Sequence, residues 1–311
     1  MNRLGSISVP DFLEKYVYFE DMLYSGRYDD LFIYDYENDF VISEILHFAQ
    51  VRPFLLDGVI KVCSMKTDVE FKKKLIFQAL RGCPIIVYLL ETQGYFVIDE
   101  VLSDIVDIKP SACHIYYHQY LDGITEYSSL FAKNRRYFED NLLFNDCIKY
   151  GYSSSSFEFF LKYDMIDELR DFLSLKNNEM IKYCEASPFE WAMNPSSYDP
   201  LSFSAHFGSV KVFKMLILQG YNINDNCILD AISGGNIDII SSLSLDEKIM
   251  KSCLSIASQY FHNEIWEWIQ EKKLITIKDR IKTPHIRLWI YLFQIGLEIN
   301  PKYCVQIQFL W

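Results

Sequence analysis

The stretch PLSFSAHFGSVKVFKMLILQGYNIN, residues 200–224, recurs along the chain at a nearly fixed step. Leu201 and Ala205 belong to a first helix, Gly208 closes a turn, Val212, Phe213 and Leu216 line a second helix, and Gly220 ends it. CILDAISGGNIDIISSL (227–243) follows the same plan, with Gly235 falling 27 residues after Gly208. Ile239, Ile240 and Leu243 then take the apolar triplet. CLSIASQYFHNEIWEWI (253–269) repeats it with Phe261 in the glycine position, 26 residues later, and Ile265, Trp266 and Ile269 as the triplet. A partial copy, IRLWIYLFQIGLEIN, carries Leu288, Trp289 and Leu292 toward Gly296. A step of this length between similar helical pairs is the mark of a stacked array. A lone helical hairpin cannot bury its apolar side, but stacked neighbours bury one another.

The glycines have a physical reading. A left-handed residue between two helices costs an L-amino acid roughly 1–2 kcal/mol, which glycine avoids. Gly208 and Gly235 are therefore expected between helices, and Gly220 and Gly296 just after them. Small residues such as Ala205 and Ala231 allow the first helices to approach closely. A weaker copy lies at FEFFLKYDMIDELRDFL (157–173), where Leu169 and Phe172 fit the second helix and Glu168 does not.

The pattern P-L-x-x-x-A-x-x-G-x-x-x-V-x-x-x-L-x-x-x-G-x-x-I-N resembles the ankyrin repeat. Pro200 and Leu201 stand where that family has its T-P-L-H element, with Ser202 in place of the histidine. The spacing is shorter than the family's usual repeat, which implies reduced fingers between repeats. GYNINDNCILDAISGGNIDII and HNEIWEWI are similar to a divergent ankyrin class expanded in protists. That class also tends to carry a helical N-terminal region, which HFAQVRPFLLDGVIKV matches loosely. The resemblance implies an all-α fold, an α-solenoid of stacked helix-turn-helix repeats over residues 146–311 with a helical region over 1–145.

The rest of the chain also reads at a helical period. Residues 11–24 place Phe12, Leu13, Tyr16, Phe19 and Leu23 on one face. Thr67-Asp68-Val69-Glu70 predicts a capping box opening a helix to about Leu80, stopped at Gly82. Cys83-Pro84 starts another, ending near Gly94. Ser153 to Ser156 predict a turn and a helix N-cap. Pro188, Pro195 and Pro200 forbid a continuous helix over 187–200. Phe32-Ile33-Tyr34 is the best short strand candidate.

Composition narrows the function classes. The formal net charge is −12, and an acidic chain repels phosphate backbones, so no nucleic-acid partner is expected. The short basic runs at 71–74 and 134–136 read as solvated surface. The N-terminal residues lack an apolar signal region, and the longest apolar runs, IIVYLL and LWIYLF, are too short to span a bilayer. The 8 cysteines are spread singly and read as free thiols in a reducing compartment, which points to a cytoplasmic location, with a nuclear one left open. The closing CVQIQFLW is expected either to fold back as a cap or to form an interface.

No nucleotide-binding, zinc-protease or nucleophile-elbow motif occurs, so neither an enzyme nor a cofactor is expected. One metal-like pattern, His114, His118 and Asp122, would share a helix face. No second element supplies further ligands, so surface histidines are the better reading. Function is therefore expected on a surface. Turn-proximal positions not needed for stacking, His206, Phe207, Ser233, Gln259 and Tyr260, are the candidate contacts for a protein partner of a non-enzymatic scaffold. The competing reading is that the aromatics only pack between repeats. The alternative function is an N-terminal helical domain with its own activity, metal-dependent if the histidine pattern were a site, targeted by the repeats.

Overall fold

The computed structural model describes residues 11–97, 116, 128–177, 179–190, 192 and 198–271. Among these, every regular element is a helix. The chain divides into two compact units: Tyr18–Ser154 with Ala186–Pro195, and Met1–Val17 with Ser155–Glu185 and Ser196–Trp311.

The first unit holds α1 (Asp11–Tyr24) from Tyr18 onward, α2 (Asn38–Val51), α3 (Leu56–Met65), α4 (Val69–Gly82), α5 (Pro84–Thr92), α6 (Ser128–Glu139) and α7 (Asn141–Tyr150). Apolar residues at helical spacing drive its packing: Val41, Ile42, Ile45 and Phe48 of α2 are fully buried, as are Phe71, Leu75 and Ala79 of α4. Helix α2 packs on α3 and α4, and α5 packs on both α3 and α4. The stop and start around residue 83 fall where Gly82 and Pro84 put them, with Pro84 in the first turn of α5 and Gly94 left-handed beyond its end.

Two local expectations are corrected. Asp68, not Thr67, caps α4, its carboxylate accepting from the Phe71 N–H at 2.8 Å. Phe32 and Ile33 belong to a 3-10 helix, Tyr28–Ile33, rather than a strand. The hydrophobic run is too short to form a ladder without a partner strand. Its neighbour Tyr36 instead stands edge-on to Phe19 (centroids 4.9 Å) and stacks on Phe40 (6.0 Å).

The segment after residue 186 belongs to this unit and is more than a linker. Phe189 is fully buried, with the rings of Tyr116, Tyr137 and Phe144 edge-on around it at centroid distances of 5.8, 5.0 and 5.7 Å. The Ser187 hydroxyl donates to the Gly151 carbonyl, tying the segment back to the end of α7.

Among the described residues from Ser155 onward, the second unit contains four helix pairs: α8 (Phe157–Lys162) with α9 (Ile166–Leu175), α10 (Pro200–His206) with α11 (Val210–Leu218), α12 (Asp225–Gly234) with α13 (Ile237–Ser241), and α14 (Glu247–Gln259) with α15 (Asn263–Glu271). Within each pair the helices pack together. The first helices α8, α10, α12 and α14 also pack in succession, and so do the second helices α9, α11 and α13. Helix starts are fixed by side-chain caps: Ser156 for α8, Asp199 for α10, Asn224 for α12 and Asn236 for α13. The apolar triplets are buried in every well-formed pair: Val212, Phe213 and Leu216; Ile239, Ile240 and Leu243; Ile265, Trp266 and Ile269. Trp268, about 200° further round α15 than Trp266, is half-buried.

Candidate functional site

The turns between paired helices carry the site. Four residues there are left-handed: Asp164 (φ 56°), Gly208 (71°), Gly235 (73°) and Phe261 (56°). Gly208 and Gly235 occupy the conformation their lack of a Cβ predicts. Phe261 adopts it with a bulky side chain, which is costly, and that side chain is buried against the array. Asp164 marks the same turn in the weak copy at 157–173, where no glycine advertises it. Gly220 is left-handed too (φ 94°) and closes α11 as a Schellman cap. There the Tyr221 N–H reaches the Leu216 carbonyl at 3.1 Å, and the Gly220 N–H that of Ile217 at 3.0 Å. Gly296 lies outside the described residues, as do His114, His118, Asp122 and the Leu288–Trp289 copy.

The residues after Gly208, Gly235 and Phe261 reach back to the preceding pair. The Ser209 hydroxyl donates to the Lys162 carbonyl (3.1 Å), Asn236 Nδ2 to the Gly208 carbonyl (3.3 Å), and His262 Nε2–H to the Ser233 carbonyl (2.8 Å). A carbonyl only accepts, so His262 carries hydrogen on Nε2. These bonds satisfy turn carbonyls that helix ends leave without intrahelical partners. The Ser209 side chain, turned toward Lys162, does not cap its own helix α11. The Asp164 carboxylate, one turn upstream, supplies that cap by accepting from the Val212 N–H at 2.8 Å.

Close approach of the first helices depends on Gly234. A Cβ there would fall onto the carbonyl oxygens of Ala205 and His206, and one on Gly235 would fall into the His262 ring. The paired glycines thus have different tasks: Gly234 admits α10, and Gly235 supplies the turn.

The candidate contact residues divide. His206, Phe207 and Ser233 are buried, so the expectation that they stand free on the surface is corrected for these three. A turn-proximal position in one hairpin also faces the next hairpin, one step along, and there these side chains meet. His206 Nδ1 lies 2.7 Å from Ser233 Oγ across the interface of α10 and α12. The His206 ring stands edge-on to Phe207 (5.0 Å) and to Tyr260 (6.1 Å). The buried Lys162 ammonium sits 4.9 Å from the Phe207 centroid. Burial first, then the positive charge of Lys162 and the neighbouring His262, pulls the His206 pKa down to about 4. Gln259 is exposed and Tyr260 half-buried. The 27-residue spacing of His206 and Ser233 was the signal for their pairing. Lys162 and Asp164 gave none, because their hairpin is the least regular copy.

A second polar group lies at the other end of α10. The Asp199 carboxylate accepts from the Leu201 and Ser202 N–H groups (both 3.0 Å) and from the Ser202 hydroxyl (2.7 Å). Burial, with Asp199 nearby, pushes the Asp230 carboxyl up to about 7. Burial also pushes the Cys227 thiol up to about 12, with Asp199 and Asp230 adding to it. Such a thiol stays protonated and is a poor nucleophile. In the first unit, burial raises Glu44 to about 8. Tyr24, raised by burial and by Glu44 and Glu20, has the Arg52 guanidinium 5.6 Å from its ring centroid.

Among the described residues no group of three or more His, Cys, Asp or Glu side chains is placed to hold a metal, and no helix is long and apolar enough to cross a membrane. Comparison with family models, with curated proteins and with solved structures yields no match.

Proposed function

We propose that the four helix pairs are ankyrin-like repeats of an α-solenoid, and that the chain is a non-enzymatic scaffold that binds a protein partner along them. The observation that carries this reading is the recurrence of one joint. A left-handed residue between two helices is followed by a side chain bonded back to the preceding pair, at steps of 27 and 26 residues in the best copies. Polar groups at these turns are committed to neighbouring pairs rather than gathered around a reaction centre. An array of this kind presents an extended face instead of a pocket.

The contact face, on this reading, is built from what stacking leaves outside. Gln259 and the half-buried Tyr260 remain from the turn positions. On the second helices, Leu218 is 88% exposed and Ile237 56% exposed. Exposed apolar side chains on a regular scaffold are usual interface anchors. The described cysteines, unpaired and buried, fit a reducing compartment such as the cytoplasm.

The test is affinity capture from native cell extract with the full chain as bait, beside two variants whose circular dichroism matches the parent. One variant carries Leu218→Glu and Ile237→Glu, the other Gln259→Lys and Tyr260→Ser. A partner captured saturably by the parent and lost with either variant supports the scaffold. Capture that survives both, or no saturable capture at all, sinks it.

A further inference from the structure

The only hydroxyl hydrogen of Ser233 is directed at the Asp230 carbonyl, 2.8 Å away. Ser233 Oγ must therefore accept from His206, and the 2.7 Å contact requires hydrogen on His206 Nδ1. Neutral His206 in this tautomer joins the second and third hairpins and leaves Nε2 as the only place for an added proton. That proton would create a buried imidazolium in a setting that already holds positive charge.

The groups around it are unfavourable to a second cation. From α8 comes Lys162, buried, on the same helix as Glu158, whose carboxylate already accepts from the Glu185 N–H at 2.7 Å. From α11, Lys211 and Lys214 are exposed. From α12, Asp225 is exposed and Asp230 half-buried. From α14 and the turn after it come the Tyr260 ring and His262, whose Nε2–H is committed to the Ser233 carbonyl. Asp199 lies at the opposite end of α10, engaged with its own N-terminal N–H groups.

We propose that His206 is an acid-sensitive lock between the second and third hairpins: neutral, it bonds Ser233 and closes the seam of α10 and α12, and protonated at Nε2 it keeps that bond but adds a second buried positive charge beside Lys162, which opens the interface. The sign follows from linkage. The imidazole binds its proton less readily in the folded protein than in the unfolded chain. Its stabilising contribution is therefore complete above the ordinary imidazole range, near 6.5, and is lost as pH falls toward about 4. The lock does not depend on what the scaffold binds.

The experiment is backbone hydrogen exchange on the full chain from pH 7.5 to 4, corrected for intrinsic rates, in the parent and in His206→Asn. The asparagine amide can donate to Ser233 from the Nδ1 position but cannot titrate. In the parent, protection over residues 200–206 and 225–235 should fall below pH 6.5 with a slope approaching about tenfold per pH unit, the limit for one proton. In His206→Asn that component should vanish. Equal slopes in both proteins would overturn the proposal. If His206→Asn does not fold, the parent alone decides by NMR titration of the His206 imidazole. A midpoint well below the usual histidine range is expected, and a midpoint at the usual value would overturn the lock.

Discussion

Both units bury ionisable side chains, but among the described residues only the hairpin array also bonds polar side chains at repeated turns. In the hairpin array, polar side chains sit at turns and are bonded one step back along the chain: Ser209 to Lys162, Asn236 to Gly208, His262 to Ser233. In the N-terminal unit, carboxyl groups are sunk between helices, with Glu20 and Glu44 almost without exposure and Glu44 pushed well above the carboxylate range. The array meets its backbone's needs with side-chain donors at places the geometry repeats. In the N-terminal unit burial instead pushes the Glu44 carboxyl toward its protonated form. Stability should therefore respond to pH in both units, through His206 and Asp230 in the array and Glu44 in the N-terminal unit, while the array adds a dependence on backbone shape at its turns.

The largest effect that would break this contrast is expected at Gly234. In Gly234→Val the added side chain meets the carbonyls of Ala205 and His206, backbone atoms that cannot swing away. A loss of about 4 kcal/mol or more, or failure to fold, should appear in chemical denaturation. In the other unit, the atoms nearest a Cβ at Gly58 belong to the Tyr28 ring, the far end of a side chain that can turn aside. Gly58→Ala should cost far less by the same measurement.

Next is Gly208→Val. The site is left-handed but roomier, with Asn236 Cβ 3.4 Å from the added carbon. About 2–3 kcal/mol is expected from the forced backbone and the β-branch. An unchanged denaturation midpoint would show that the turn is not the joint described.

Glu44→Gln sharpens the other side of the comparison. Glu44 binds its proton more tightly folded than unfolded, so stability of the parent should fall as pH rises from about 4.5 to about 8, then level off. The glutamine variant should lack that fall and exceed the parent by on the order of 2 kcal/mol at pH 8. Parent and variant running parallel from pH 5 to 8 would remove the buried acid from the account. The smallest effect belongs to Asn236→Ala. It loses a helix cap to Asp238 and Ile239 and the bond to Gly208, with about 1–2 kcal/mol expected by thermal melts.

How much of this was legible depended on how each residue does its work. Gly208, Gly220 and Gly235 were readable because a left-handed residue between helices favours one amino acid. Asp164 and Phe261 hold the same conformation with side chains that advertise nothing. Asp164 uses its carboxylate on the next hairpin, accepting from the Val212 N–H, and Phe261 is buried by the array. The buried triplets were readable because apolar spacing reports burial directly. His206, Phe207 and Ser233 were misplaced because a helix-end position looks exposed within one hairpin and is covered only by the next. Gly234 was overshadowed by its neighbour, since a need for close packing and a need for a left-handed backbone select the same residue. In the segment after 186, the prolines announced irregular chain but said nothing of Phe189, whose cage is assembled from residues far apart in sequence.

The backward reach of the turn residues also has a consequence in time. Ser209, Asn236 and His262 all donate to carbonyls that precede them, and α11 takes its cap from Asp164, upstream of it. As the chain leaves the ribosome, each of these partners has already emerged when its counterpart appears. A nascent hairpin can dock on a finished one without waiting for residues still to be made, so the joints favour growth in the direction of synthesis.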